Sequence, residues 1–313
     1  MSIKGEKLTF GVVLPTCNRA NLVRGFLETI DKQRSCPHEL ILVDQSDDES
    51  TKKVFEDWKP ANIQKKYLHR NVKSLVLARN AGIKASGNTD LIAFFDDDIL
   101  LDFRFCEEIV KVFESDEGGQ YAGGMGTVEP WKYKPKPLQA FFLMSFEGSG
   151  KFLASGAPTF PHWKKEFTET EFVSGGCTFW RRHIIQEYLF DERLRDHGYG
   201  DDVDISYRVS RRYKLFLQPR AVCYQQKDPP GRILGRQYRR AWIQNMYYLA
   251  QKNDISLLAY SWCVLGHFFR DLICLDFQKL LGDFEGTFNI VCGRIDTVAG
   301  YKHFIKQLRQ ERQ

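Results

Sequence analysis

The sequence lacks most of the signals that narrow a protein's chemistry at once. Its 313 residues contain neither G-x-G-x-x-G nor G-x-x-x-x-G-K-[ST]. That argues against a dinucleotide-binding crossover and against a Walker-type phosphate loop. The eight cysteines, at 17, 36, 106, 177, 223, 263, 274 and 292, form no Cys-x-x-Cys pair. They read as scattered buried thiols, not as a disulfide framework or a zinc cluster. Near the C-terminus the longest stretch free of Lys, Arg, Asp and Glu, Ile255 to Phe269, is too short to span a bilayer and contains His267. Met1 to Lys7 is polar, unlike a secretory signal, and a reducing, cytoplasmic location is expected. Internal repeats and low-complexity tracts are also missing.

The bulk numbers are ordinary. A hydrophobic fraction of 43% and a net charge of +5 fit a globular protein. The modest positive charge does not demand nucleic acid, and it suits an anionic ligand or an acidic membrane surface. The length allows one large domain or two small ones.

The first hundred residues alternate between two periodicities. Apolar runs at Thr9–Leu14, Glu39–Val43, Lys66–Leu68 and Leu91–Phe95 read as strands. Between them lie helical patterns at Leu22–Ile30, at about Ser50–Trp58, and from Ser74 through Ala85. This order predicts a parallel sheet with right-handed crossovers. From about Gly118 to Phe172 the pattern breaks into Gly, Pro and aromatic residues, which predicts long functional loops. Phe172–Trp180, Leu215–Leu217 and Ala221–Tyr224 read as further strands, and a helix opens at Asp201. Beyond Gly231 the chain turns helical, aromatic and basic.

Polar residues end several apolar runs on what should be one edge of the sheet, where open α/β sheets bind ligands. Pro15-Thr16-Cys17-Asn18-Arg19 follows the first run, Asp44-Gln45-Ser46 the second, and Asp96-Asp97-Asp98 the fourth. Three adjacent carboxylates repel one another. A divalent cation among them offsets that, since Mg²⁺ and Mn²⁺ prefer hard oxygen ligands. The competing reading is a solvated acidic turn that opens the next helix. Gly198-Tyr199-Gly200-Asp201-Asp202 carries a second acidic pair, readable as a helix cap or as a general base delivered on a turn. Arg79-Asn80 lies within the third helical pattern and is open to a ligand role or a structural one. Trp131, Trp163 and Trp180 offer faces for sugar stacking, with the core the stronger expectation for Trp180.

Taken in order, these segments resemble the family 2 inverting glycosyltransferases of the GT-A fold, over roughly Leu8 to Gly231. The resemblance implies an α/β, Rossmann-like, mostly parallel sheet flanked by helices. It places a GT-A domain over 1–232, split into a nucleotide-binding half (1–117) and an acceptor-binding half (118–232), with a helical C-terminal extension at 233–313. It implies an inverting, metal-dependent transfer from a UDP- or dTDP-sugar to an acceptor hydroxyl, in polysaccharide or glycolipid synthesis. The donor contacts carried over are Pro15, Thr16, Asn18, Arg19, Asp44, Arg79, Asn80, Asp96 and Asp97. Asp98 and Asp96 would hold Mg²⁺ or Mn²⁺. Asp202 would be the base and Asp201 would orient the acceptor, which is a carbohydrate or is lipid-linked. The chain departs from the family pattern at Gln225, where many members carry a histidine ligand, and His197 is the substitute nearest in sequence. Arg236, Arg239 and Arg240, with Trp242, Tyr247 and Tyr248, are expected to form a basic, aromatic surface of interfacial type, giving peripheral membrane contact on the cytoplasmic face, or else an ordinary packing helix. Rival functions are a non-catalytic nucleotide-sugar-binding protein and a sugar-phosphate nucleotidyltransferase.

Overall fold

The computed structural model describes residues 7–130, 137–161, 164–194, 198–226 and 235–311. The N-terminal part runs β1 (Phe10–Thr16), α1 (Ala20–Ile30), β2 (Glu39–Asp44), α2 (Ser50–Asp57), β3 (Gln64–His69), α3 (Leu75–Ala85) and β4 (Leu91–Phe95). The expected alternation holds to within a few residues at each boundary. After it come β5 (Ile99–Leu101), α4 (Phe105–Ser115), β6 (Tyr121–Glu129), α5 (Pro137–Phe141), β7 (Thr168–Thr170) and β8 (Cys177–Arg181). The chain continues with α6 (Arg182–Tyr188), α7 (Asp201–Ser210), β9 (Lys214–Gln225), α8 (Gly235–Lys252), α9 (Leu257–Ile273), α10 (Phe277–Val291) and α11 (Tyr301–Glu311).

One mixed sheet carries the molecule, in the order β3-β2-β1-β4-β8-β6-β9-β5, with β7 beside β9. Strands β1 to β4 pair in parallel, and β8 runs antiparallel to β4 and β6. Alternate side chains of each central strand feed opposite faces. Val13, Ile41, Ile92 and Phe94 enter one core with α3, α6 and α8. Val12, Leu40, Ala93 and Phe95 enter the other with α1, α2 and α4. Strands β1, β2 and β4 are buried on both faces, which is why they read as unbroken apolar runs, whereas the outer strand β3 is partly exposed.

Three expectations change. The stretch from Gly118 to Phe172 is not wholly irregular, because it contains β6. That strand escapes sequence reading because it carries Gly123 and Gly124. A Cβ on Gly123 would meet Trp180 at 2.5 Å, and one on Gly124 would meet Phe216 at 2.2 Å. Large rings from neighbouring strands therefore occupy the space of its side chains. The two short strands expected at 215–224 form one strand, β9, with register irregularities against β6. The basic, aromatic surface expected on α8 does not form, since Arg239 and Tyr248 are buried. Trp180 is core, as expected. Trp131, Trp163, His197 and the boundary at 232/233 lie outside the described residues.

Helix α3 approaches β1 very closely. A Cβ on Gly82 would stand 2.2 Å from Val13 Cγ1. Gly82→Ala is expected to destabilise the fold by about 2 kcal/mol through overpacking, against a gain in helix propensity of under about 1 kcal/mol. The urea unfolding midpoint measures this, and an unchanged or raised midpoint contradicts the packing argument.

Candidate active site

The ends of β1, β2 and β4 converge with a turn before β8 and the start of α7. Each of the three consecutive aspartates has a different partner. Asp96 accepts from Arg79 Nη2 at 3.1 Å. Asp97 is buried and accepts from Thr16 Oγ1 at 2.7 Å and Arg19 Nη1 at 3.0 Å. Asp98 is buried and accepts from Gln225 Nε2 at 3.1 Å. Burial pushes the Asp97 carboxyl up to about 6, while Thr16 and Arg19 hold it back.

Arg79 is the junction of the site. Its guanidinium donates through Nη1 to Asp201 Oδ2, and through Nη2 to Asp96 and to the Gly175 carbonyl at 3.1 Å. Only 2% of it is exposed. The two acidic clusters, more than a hundred residues apart in sequence, are thus bridged by one cation. The Gly175-Gly176 turn makes room for this. A Cβ at Gly175 would lie 2.9 Å from Arg79 Nη1, and one at Gly176 would lie 2.8 Å from Asp96 Oδ2.

The acidic pair of α7 is set by left-handed glycines. Gly198 has φ +62° and Gly200, which precedes the helix, has φ +92°, values that glycine adopts at little cost. Helix α8 holds the turn from behind, where Asn245 Nδ2 donates to the Tyr199 carbonyl at 2.9 Å. Asp201 and Asp202 then sit in the first turn, where the helix dipole favours negative charge. Their surroundings differ. Asp201 is buried against Arg79; burial pushes its carboxyl up to about 7, Arg79 opposes this and Asp202 adds to it. Asp202 is half-buried, and it accepts from Gly175 N–H at 3.3 Å and Val203 N–H at 2.9 Å. Burial raises its carboxyl too, while the Gly175 N–H, Arg79 and the Val203 N–H pull it down.

Several predicted residues have their polar atoms directed at the protein. Asp44, expected at the nucleotide base, has 0% exposure and accepts from its own loop at Ser46 N–H and from Tyr67 O–H, at 2.9 and 2.8 Å. Asn80 is buried and braces the loop after α6, exchanging hydrogen bonds with the Phe190 backbone and donating to Glu192. Arg79 and Asp201, expected at donor and acceptor, face each other. Asn18 does lie at the rim, at φ +57°, and exchanges amide hydrogen bonds with Asp47 at 2.8 Å. Pro15 is buried in β1 beside Val43. Tyr67 was not singled out from sequence as a site residue, and Gly175-Gly176, read as part of a strand over Phe172–Trp180, forms a turn ahead of β8. The Ser-Gly-Gly triplet before an apolar strand was the available signal.

Among the described residues, no three His, Cys, Asp or Glu side chains gather closely enough to hold a metal ion. Asp96 and Asp98 are hard oxygen donors at one strand end. That suits a cation bound through one or two carboxylates and completed by substrate phosphates.

The fold has counterparts among solved structures. Residues 1–349 of S. aureus TarS superpose with a TM-score of 0.57 at 13% identity, covering 93% of this chain and 81% of that one. A structure of GalNAc-T7 with UDP, GalNAc and Mn²⁺ gives a TM-score of 0.56 at 13% identity, covering 88% of this chain and 59% of that one. At such identity the likeness establishes the fold, which is GT-A. No curated protein matches by sequence. The family model described as "Glycosyl transferase family 2" matches residues 11–189, more than half of the chain, and the protein therefore belongs to that family of glycosyltransferases.

Proposed function

We propose that the protein is an inverting glycosyltransferase that moves a sugar from a UDP- or dTDP-sugar to an acceptor hydroxyl on a carbohydrate or lipid-linked molecule, in polysaccharide or glycolipid synthesis at the cytoplasmic face of a membrane. The observation that carries this reading is the Arg79 bridge, which brings the strand-end carboxylates and the α7 carboxylates to one site. A nucleotide-binding protein without catalysis has no need for a half-buried carboxylate beside a ligand site.

Asp202 is the base. It takes the proton of the acceptor hydroxyl as that oxygen bonds to the anomeric carbon, while the bond to the nucleoside diphosphate breaks on the opposite face. One group serves attack and the other departure, so configuration inverts. Asp201 and Arg79 are positioning residues, since their polar atoms are directed at each other. The nucleoside is received by the end of β1, with Pro15 and Thr16, and by the loops after β1 and β2, including Asn18 and Arg19. Asp44 shapes that pocket from beneath. Asp97 ties Thr16 and Arg19 to the β4 end.

Asp98 and Asp96 are the residues to hold Mg²⁺ or Mn²⁺, with Gln225 beside Asp98 in place of a charged third ligand. When bound, the ion offsets the charge that develops on the departing diphosphate. GalNAc-T7 was solved with UDP and Mn²⁺, which supports this choice of ligand.

Three outcomes test the assignment. Asp202→Asn is expected to lower kcat by at least about 10²-fold, the usual worth of a positioned base, while the UDP-dependent thermal shift in Mn²⁺ persists; near-normal turnover removes Asp202 from its role. Because burial raises the Asp202 carboxyl and the base works ionised, kcat/KM should fall on acidification with a limb above the ordinary aspartate value of 3.8; a limb at or below that value contradicts the environment assigned to it. Arg79→Met leaves Asp201 buried without its counter-charge and should cost about 3 kcal/mol in chemical denaturation; a loss below about 1 kcal/mol means that the bridge is not structural.

A further inference from the structure

Helix α10 is polarised in the reverse of the usual sense, and its neighbour α9 carries a second, outward apolar stripe. A helix on a water-soluble protein buries its apolar stripe and exposes polar residues. Helix α10 instead buries Gly282, Asp283 and Gly286. Its exposed positions are Phe277, Leu281, Phe284, Phe288 and Val291, between 48% and 80% accessible. Helix α9 exposes Leu258, Trp262, Leu265, Phe269 and Leu272, and its inner face combines the apolar Tyr260, Cys263 and Val264 with Gly266, His267 and Asp271. Both stripes recur at alternating steps of four and three, so each forms one continuous face.

The inner face is held by charge. Arg239 of α8 pairs with Asp271 at 3.2 Å and Asp283 at 3.3 Å, and donates to His267 Nδ1 at 3.0 Å. All four are buried. Small residues allow close approach: a Cβ on Gly282 would lie 2.4 Å from the Arg236 carbonyl oxygen. Small and ionisable residues inside, with large apolar ones outside, is how helices pack when lipid is the solvent.

Between the two helices lies a groove of about 400 Å³, lined by Leu265, Phe268, Phe269, Leu272, Leu280 and Phe284. The exposed apolar side chains amount to on the order of 1,000 Å², well above the largest apolar patch of an ordinary monomer. Exposure is high at the turn joining the helices, where Ile273 and Leu275 are 68% and 69% accessible. Arg270 and Lys279 flank that turn. Among the described residues no helix is long and apolar enough to cross a membrane.

We infer that the α9–α10 hairpin is a membrane-docking face, lying in the interfacial layer of a lipid bilayer with its apolar stripes turned into the acyl boundary and Arg270 and Lys279 at the level of the headgroups. The face connects to the catalytic side through α8. Tyr238 packs on Tyr199 of the catalytic turn with ring centroids 4.9 Å apart. It lies in the electrostatic reach of Asp202 and also of Arg270 and Lys279. Docking therefore sets the acceptor side of the site beside the lipid surface. That last step rests on the glycosyl-transfer reading, whereas the docking itself does not.

Flotation with vesicles of mixed phosphatidylcholine and phosphatidylglycerol tests the inference. The wild-type protein is expected to float, and Phe284→Glu/Phe288→Glu is expected to remain at the bottom of the gradient while keeping its UDP-dependent thermal shift in Mn²⁺. Leu258→Glu, at an 83% exposed position on the other helix, should also weaken flotation if the first variant fails to fold. Absence of flotation by the wild type, or equal flotation by folded variants, overturns the proposal. So does a lipid-free dimer that Phe284→Glu/Phe288→Glu converts to monomer, because a second copy then covers the face. Loss of the UDP shift in the wild type would count against the donor reading and leave the docking result standing.

Discussion

The site depends on one buried guanidinium. Removing a charge from water costs several kcal/mol, and the cost is recovered only where counter-charges and hydrogen bonds surround it. Arg79 meets that demand with two carboxylates and a carbonyl from three distant segments: the end of β4, the Gly175 turn and the start of α7. Asp201 needs Arg79 in return, since it is itself buried. A misplaced α7 would leave a cation and an anion unpaired in low dielectric, so the β4 end and the start of α7 are coupled in position.

Most of the parallel half of this fold was legible because its physics is local. Strands buried on both faces must be apolar throughout, and Thr9–Leu14, Glu39–Val43 and Leu91–Phe95 said so directly. The acids that end these runs were legible as well, since nothing in a core explains them. What escaped reading depends on contacts across long sequence separations. Strand β6 hides behind Gly123 and Gly124, whose missing side chains are replaced by Trp180 and Phe216. The burial of Asn80, Asp44 and Asp201 against protein partners was hidden for a similar reason. A polar residue near a sheet edge can serve the ligand or the loops around it, and only burial separates the two cases.

The C-terminal helices illustrate the converse. Their composition pointed toward an interfacial surface, but the residues chosen for it were those of α8, where Arg and Tyr alternate with Trp. Packing turned that helix inward: Ile243, Met246, Tyr248 and Leu249 enter the same core as the sheet. The apolar surface lies on α9 and α10, where hydrophobicity alone would have predicted burial. Hydropathy does not record direction. In this region the decisive information is which residues face Arg239, and those are aspartates, a histidine and glycines.

The three consecutive aspartates gather these arguments. Equal in sequence, they are unequal in surroundings because they lie in the turn between β4 and β5, closed by a hydrogen bond from Ile99 N–H to the Asp96 carbonyl at 3.2 Å, and the turning backbone sends successive side chains in different directions. Asp96 reaches Arg79, Asp97 reaches Thr16 and Arg19, and Asp98 reaches Gln225 at the end of β9. The triple is therefore a three-way junction before it is anything else, joining Arg79 and the Gly175 turn, the first loop and the far strand. Like charges at such a junction are tolerable because each is satisfied in its own direction. The same arrangement leaves Asp96, the most exposed of the three, at the open edge of the sheet. A cation arriving with a diphosphate would meet carboxylates already held by the fold, so its binding does not have to organise the site.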